Sequence, residues 1–109
     1  LFMNSKINLD IELDVNKIPT KIEWSAPDGG VKKSEADAFI LSVWDGETKD
    51  TLKIDLWTKN MMVDDMKKFY HQTLLSMADG FKRSTNEDEM SEDIRDFAKY
   101  FAEKLKLIE

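Results

Sequence analysis

Cysteine is absent from the 109 residues. That excludes disulfides, thiolate nucleophiles, zinc ribbons and iron–sulfur clusters. Histidine occurs once, at His71, so a zinc site would have a single imidazole and no thiolate to draw on. No apolar run approaches the ~18 residues of a membrane-spanning helix. The segment Asn4-Ser5-Lys6-Ile7-Asn8-Leu9-Asp10 is charged almost at once and lacks the apolar core of a secretory leader. Leu1-Phe2 reads as an expression remnant, Met3 as the natural start, and the cytoplasm as the default address. A basic stripe is missing too. The lysines interleave with acids except at Lys32-Lys33 and Lys67-Lys68, and the formal net charge is −6. Nucleic-acid binding, whose affinity is dominated by the phosphate backbone, is therefore not expected. Nor is attachment to anionic membranes.

What is present is ordinary globular material. Hydrophobic residues make up 41% and aromatics 10%, well above a disordered composition. A chain this size buries roughly 65% of its unfolded surface, enough for one core without staples. The expectation is a single domain over residues 1–109, with residues 1–3 at its margin as remnant or disordered chain.

Ile7, Leu9, Ile11 and Leu13 alternate with Asn8, Asp10 and Glu12, the pattern of a half-buried strand. Asp14-Val15-Asn16-Lys17 reads as a turn. Ile18, Thr20, Ile22 and Trp24 then form one face of a second strand, with Pro19 suited to its start. The two make an antiparallel hairpin that sets Asp10 and Glu12 near Lys21. Pro27-Asp28-Gly29-Gly30 opens a loop. Ser34 followed by Glu35 and Asp37 resembles a helix start, and Ala36, Phe39, Ile40, Val43 and Trp44 follow helical spacing. The rival is a strand, with Ala38, Ile40, Ser42 and Trp44 on one face and Phe39, Leu41 and Val43 on the other. The cap and the alanines favour the helix. After a turn at Asp45–Asp50, Leu52, Ile54 and Leu56 make the inward face of a third strand, and Lys53, Asp55 and Trp57 its outward face.

Asn60 is the expected cap of a long helix whose apolar stripe is Val63, Met66, Phe69, Tyr70, Thr73, Leu74, Met77 and Phe81. Gly80 is expected to weaken it. Asn86 with Glu89 resembles a capping box for a last helix, whose stripe is Met90, Ile94, Phe97, Phe101, Leu105 and Ile108. The fold class is thus α+β: a small, three-stranded, mostly antiparallel sheet with helices on one face, in the order ββαβαα.

The chemistry-bearing residues point away from catalysis. Three and four residues from His71 stand Lys67, Lys68, Leu74 and Leu75, so no carboxylate on its own helix orients it. Asp64-Asp65, Glu87-Asp88-Glu89 and Glu92-Asp93 lie at expected helix starts, where the dipole accounts for them. Asp45-Gly46-Glu47-Thr48-Lys49-Asp50 lacks the alternating acids of a calcium loop. Asp28-Gly29-Gly30 is too short to cradle a phosphate. No metal and no cofactor is expected. Trp24 and Trp44 fall on apolar faces and read as core. Trp57 falls among charges on an open sheet face, and aromatics so placed anchor interfaces. Lys53, Asp55 and Trp57 are therefore the candidate partner contact. The alternative is that a loop or the following helix covers Trp57.

The run Leu41–Val63, with Trp44 before its turn and Trp57 closing its strand, is followed by His71-Gln72-Thr73-Leu74-Leu75-Ser76-Met77-Ala78-Asp79. Asp28-Gly29-Gly30-Val31 lies upstream and Arg95-Asp96-Phe97-Ala98-Lys99-Tyr100-Phe101-Ala102-Glu103 downstream. From about Asn4 to Lys106 the chain resembles the gliding-motility-associated GldC family of the Bacteroidetes. The resemblance implies an accessory role in gliding, supporting the envelope-spanning motility and secretion machinery. It offers no catalytic residue to transfer. The expected function is therefore non-catalytic, through contact with proteins of that machinery or through self-association. Two other readings stand beside it. One is an enzyme or small-ligand binder built on His71. The other is a small acidic chaperone for exported proteins.

Overall fold

A computed structural model describes residues 3–108. The expectation for Leu1-Phe2 lies outside the described residues. The elements are β1 (Asn8–Leu13), β2 (Pro19–Ala26), a 3-10 turn over Pro27–Gly29, β3 (Val31–Ala36), β4 (Ala38–Asp45), β5 (Asp50–Trp57), α1 (Val63–Thr85) and α2 (Asp88–Lys104). The fold is α+β. The chain forms two compact units, Leu1–Met61 and Met62–Glu109.

The first unit holds two antiparallel sheets, β1-β2-β3 and β4-β5. The β1–β2 hairpin has the expected strands. Its turn is tied by Asp14, whose Oδ1 accepts the backbone N–H groups of Asn16 at 2.8 Å and Ile18 at 3.0 Å. This is the local bonding that suits aspartate to turns. Leu9 faces Trp24, and Ile11 faces Ile22, which is fully buried. On the polar face Glu12 stands opposite Lys21 as expected, but Asp10 stands opposite Glu23. Lys21 relieves that like-charge pairing. Its Nζ lies 2.7 Å from Glu23 and 3.7 Å from Glu35. The close lysine holds the Glu23 carboxyl below its ordinary range, and Glu23 in turn raises the lysine.

The expected helix over Ser34–Trp44 does not form, and with it the order ββαβαα falls. Ser34 pairs with Trp24 inside β3, and Ala38–Asp45 runs as β4. The third strand of the larger sheet is therefore β3, while Leu52–Trp57 belongs to a separate two-stranded sheet. The reason is visible in the segment itself. Ala38–Trp44 is apolar on both faces, so a period of two and a period near 3.6 both fit it. Phe39, Ile40, Val43 and Trp44 are strand formers, and β5 supplies a ladder from Ala38↔Trp57 to Asp45↔Asp50. At Asp37 the chain turns from one sheet into the other. There the Asp37 carbonyl accepts the N–H of buried Thr58 at 2.8 Å.

The second unit is an antiparallel pair of helices joined at Asn86. That residue closes α1 in the left-handed region (φ 61°), its N–H donating to the Lys82 carbonyl. Asn86 is thus a C-cap of α1. The N-cap of α2 is Glu87, and that of α1 is Met62 in place of the expected Asn60. Gly80 does not interrupt α1. Asp64 and Asp65, and Asp88 and Glu89, occupy first helical turns as expected. Ala78, Ser91, Ala98 and Ala102 are buried; of the expected stripes, Met66, Phe69, Thr73, Leu74, Phe81, Ile94 and Phe101 are half-buried, whereas Val63, Met77, Met90 and Phe97 are more than half exposed. Small side chains at the fully buried positions let two helices approach closely, and part of each apolar stripe is partly covered beside them.

Candidate functional site

Register places Lys53, Asp55 and Trp57 on one face of the β4–β5 hairpin, as the alternation in β5 requires. Their cross-strand neighbours are Ser42, Ile40 and Ala38. Lys53 Nζ lies 3.2 Å from Asp55 Oδ2, an ion pair along the strand in which both side chains remain partly exposed. Trp57 is 54% exposed. Beside it is an open cleft of about 240 Å³ lined by Ile18, Pro19, Asp55, Leu56 and Trp57. The cleft forms because β2 begins near the point where β5 ends. Ile22 pairs with Ala36 on one side of the Asp37 corner, and Trp57 pairs with Ala38 on the other. A second tie sits close by, where Lys59 Nζ lies 3.0 Å from Asp14 Oδ2. The bond from the Ile18 N–H, together with Lys59, holds the Asp14 carboxyl below its ordinary range.

The opposite face of the hairpin departs from expectation. The alternation assigns Leu52 and Ile54 inward, yet they are 59% and 54% exposed. Leu41 and Val43, across the ladder from Ile54 and Leu52, are exposed as well. Trp44, expected in the core, lies on the Lys53–Trp57 face opposite Thr51 and is 62% exposed, whereas Trp24 is half-buried. A two-stranded sheet has one neighbour per strand and covers little of its own surface. Its own strands therefore leave these apolar residues largely uncovered. The second unit also has an outward aromatic strip. The Phe97 and Tyr100 rings are tilted at 43° with centroids 6.0 Å apart, and Lys104 Nζ lies 5.6 Å from the Tyr100 ring.

His71 is half-buried on α1. Among the described residues no group of three or more His, Cys, Asp or Glu is placed to hold a metal ion. Asp45 is engaged within its own turn, its Oδ1 accepting the N–H groups of Glu47 at 2.9 Å and Thr48 at 3.3 Å. No helix among the described residues is long and apolar enough to cross a membrane. The walls of the cleft contributed by Ile18 and Pro19 have no sequence signal, since they come from a strand distant along the chain.

Fold and surface together define a small α+β protein with an exposed tryptophan beside an ion pair on an open sheet. A family described as gliding motility-associated protein GldC-like matches residues 19–107. The chain belongs to this GldC-like family of gliding motility-associated proteins. It matches none of the curated proteins and none of the solved structures.

Proposed function

We propose that this chain is a non-catalytic accessory protein of bacterial gliding motility that works by contact with a protein of the gliding and secretion machinery. Family membership supplies the setting. The observation that carries the molecular reading is Trp57, half-exposed beside the Lys53–Asp55 pair and the cleft at Ile18 and Pro19. A large flat ring on a rigid strand contributes contact area at little entropic cost, and flanking charges fix orientation and reject wrong partners. The contact needs no nucleic acid and no insertion into lipid. The protein works from the cytoplasm, docking on envelope components from that side.

Crosslinking in the native cell, followed by capture and mass spectrometry, tests this. Trp57→Asp should keep the far-ultraviolet dichroism of the parent and lose its main crosslinked partner. A folded Trp57→Asp protein that retains every partner refutes the assignment of this face.

A further inference from the structure

The β4–β5 hairpin has two outer edges, and neither joins another strand among the described residues. Free edges are templates for pairing, and charged side chains along them reject most incoming strands. The two edges differ in this respect. From Ala38 to Trp44, β4 carries no charge, so it holds nothing that would select one register. The β5 edge reads Thr51-Leu52-Lys53-Ile54-Asp55-Leu56-Trp57. Outward from Ile54 it is symmetric in its apolar residues, with Leu52 on one side and Leu56 on the other. It is antisymmetric in charge, with Lys53 and Asp55 in the equivalent places. Thr51 and Trp57 make a small and a large end.

We propose that β5 pairs antiparallel with β5 of a second copy of this chain, about a two-fold axis at Ile54. In that register Lys53 meets Asp55 of the second copy, and Asp55 meets its Lys53. Leu52 meets Leu56, Thr51 meets Trp57, and Ile54 meets itself. Opposite charges directly across an antiparallel pair stabilise it, and like charges destabilise it. Neighbouring registers are rejected on that ground. An axis at Lys53 sets lysine on lysine, and an axis at Asp55 sets carboxylate on carboxylate. A slip of one residue brings Lys53 against Ile54 and turns the apolar face against the polar one. Among these adjacent registers one survives, which is how an edge protected by charge can still accept a partner strand. Lys53 and Asp55 are free to make the exchange, since both are partly exposed. The product is a four-stranded sheet in the order β4-β5-β5-β4, wider than the hairpin and better able to stand alone. Its interface is isologous, the commonest kind in soluble oligomers. Self-pairing uses the edge of β5 and leaves its face to carry two copies of the Trp57 surface side by side.

Sedimentation of the purified full chain, from micromolar to millimolar concentration and with no other protein present, tests self-pairing separately from partner binding. The wild type should pass from monomer to dimer. K53D and D55K, each setting like charges together, should weaken the dimer roughly tenfold or more. An equimolar mixture of the two should restore it, because both cross-strand contacts between one variant and the other again join a carboxylate to an ammonium. That recovery also shows that both variants are folded. Amide hydrogen exchange on the wild type needs no variant, and should show protection that grows with concentration within Thr51–Trp57. A wild type that stays monomeric throughout overturns the proposal. So do reversals that dimerise as tightly as the parent, a mixture no tighter than either variant alone, or protection confined to another segment.

Discussion

The hydroxyl of Ser91 donates a 2.8 Å hydrogen bond to the backbone carbonyl of Ala78, across the seam between α2 and α1. Both residues are buried. The bond satisfies a polar group that would otherwise be sealed from water, and it fixes the register of the two helices.

Ser91→Ala keeps the volume nearly constant and gives up the bond, so it should cost about 0.5–1.5 kcal/mol. Ser91→Leu forces a larger side chain into a seam built from alanines, and should cost about 1–3 kcal/mol or more. Urea denaturation followed by dichroism reads both as lower midpoints with an unchanged slope. Equal stability of the leucine variant and the parent would mean that the seam is looser than described.

Gly80 is a second point of leverage in the same pair. It lies within α1, and a Cβ added there meets only the flexible end of Arg83 at 3.9 Å. Gly80→Ala should therefore stabilise the protein by about 0.5–1 kcal/mol, through helix propensity and a less disordered unfolded chain. A raised melting temperature is the readout, and a lowered one would show that α1 needs this position without a side chain.

Asp14 contributes to the acid limb of stability, alongside Glu23. Its carboxyl is held below the ordinary range first by the N–H of Ile18 and then by Lys59. Unfolding releases both, and the pKa returns to its usual value. As pH falls, protons therefore bind the unfolded chain first. The stabilising contribution is complete above the unfolded value of about 4 and is lost as pH falls through the lower folded value. Asp14→Asn keeps an oxygen for the turn and loses the charge that Lys59 meets. Its stability should be lower than the parent's at neutral pH, and should decline less steeply between roughly pH 5 and pH 3. Parallel acid limbs for the two proteins would remove Asp14 from this role.

How far these features can be read from residues alone depends on how unambiguous each local pattern is. The β1–β2 hairpin is legible because its two faces differ at every step, and Asp14 marks the turn. Both helices are legible from their stripes and acidic starts. Ala38–Trp44 is not, because it is apolar on both sides and is preceded by Ser34, Glu35 and Asp37, which imitate a cap. The packing line of the helices is hidden for another reason. A search for large apolar residues finds half-buried Phe69, Ile94 and Phe101 along with exposed Met90 and Phe97, and passes over Ala78, Ser91, Ala98 and Ala102, which are buried. At the candidate site, alternation is enough to put Lys53, Asp55 and Trp57 on one face. The adjoining wall of Ile18 and Pro19 depends on two strands meeting at Asp37, which no local pattern encodes.

A seam whose fully buried positions are alanine and serine puts little bulk into its own interior. Methyl groups and one hydroxyl occupy the fully buried positions of α1 and α2, and the larger apolar side chains are at most half-buried. Whatever the helical pair offers other molecules, it offers from its rind, where Met90, Phe97 and Tyr100 stand in the open.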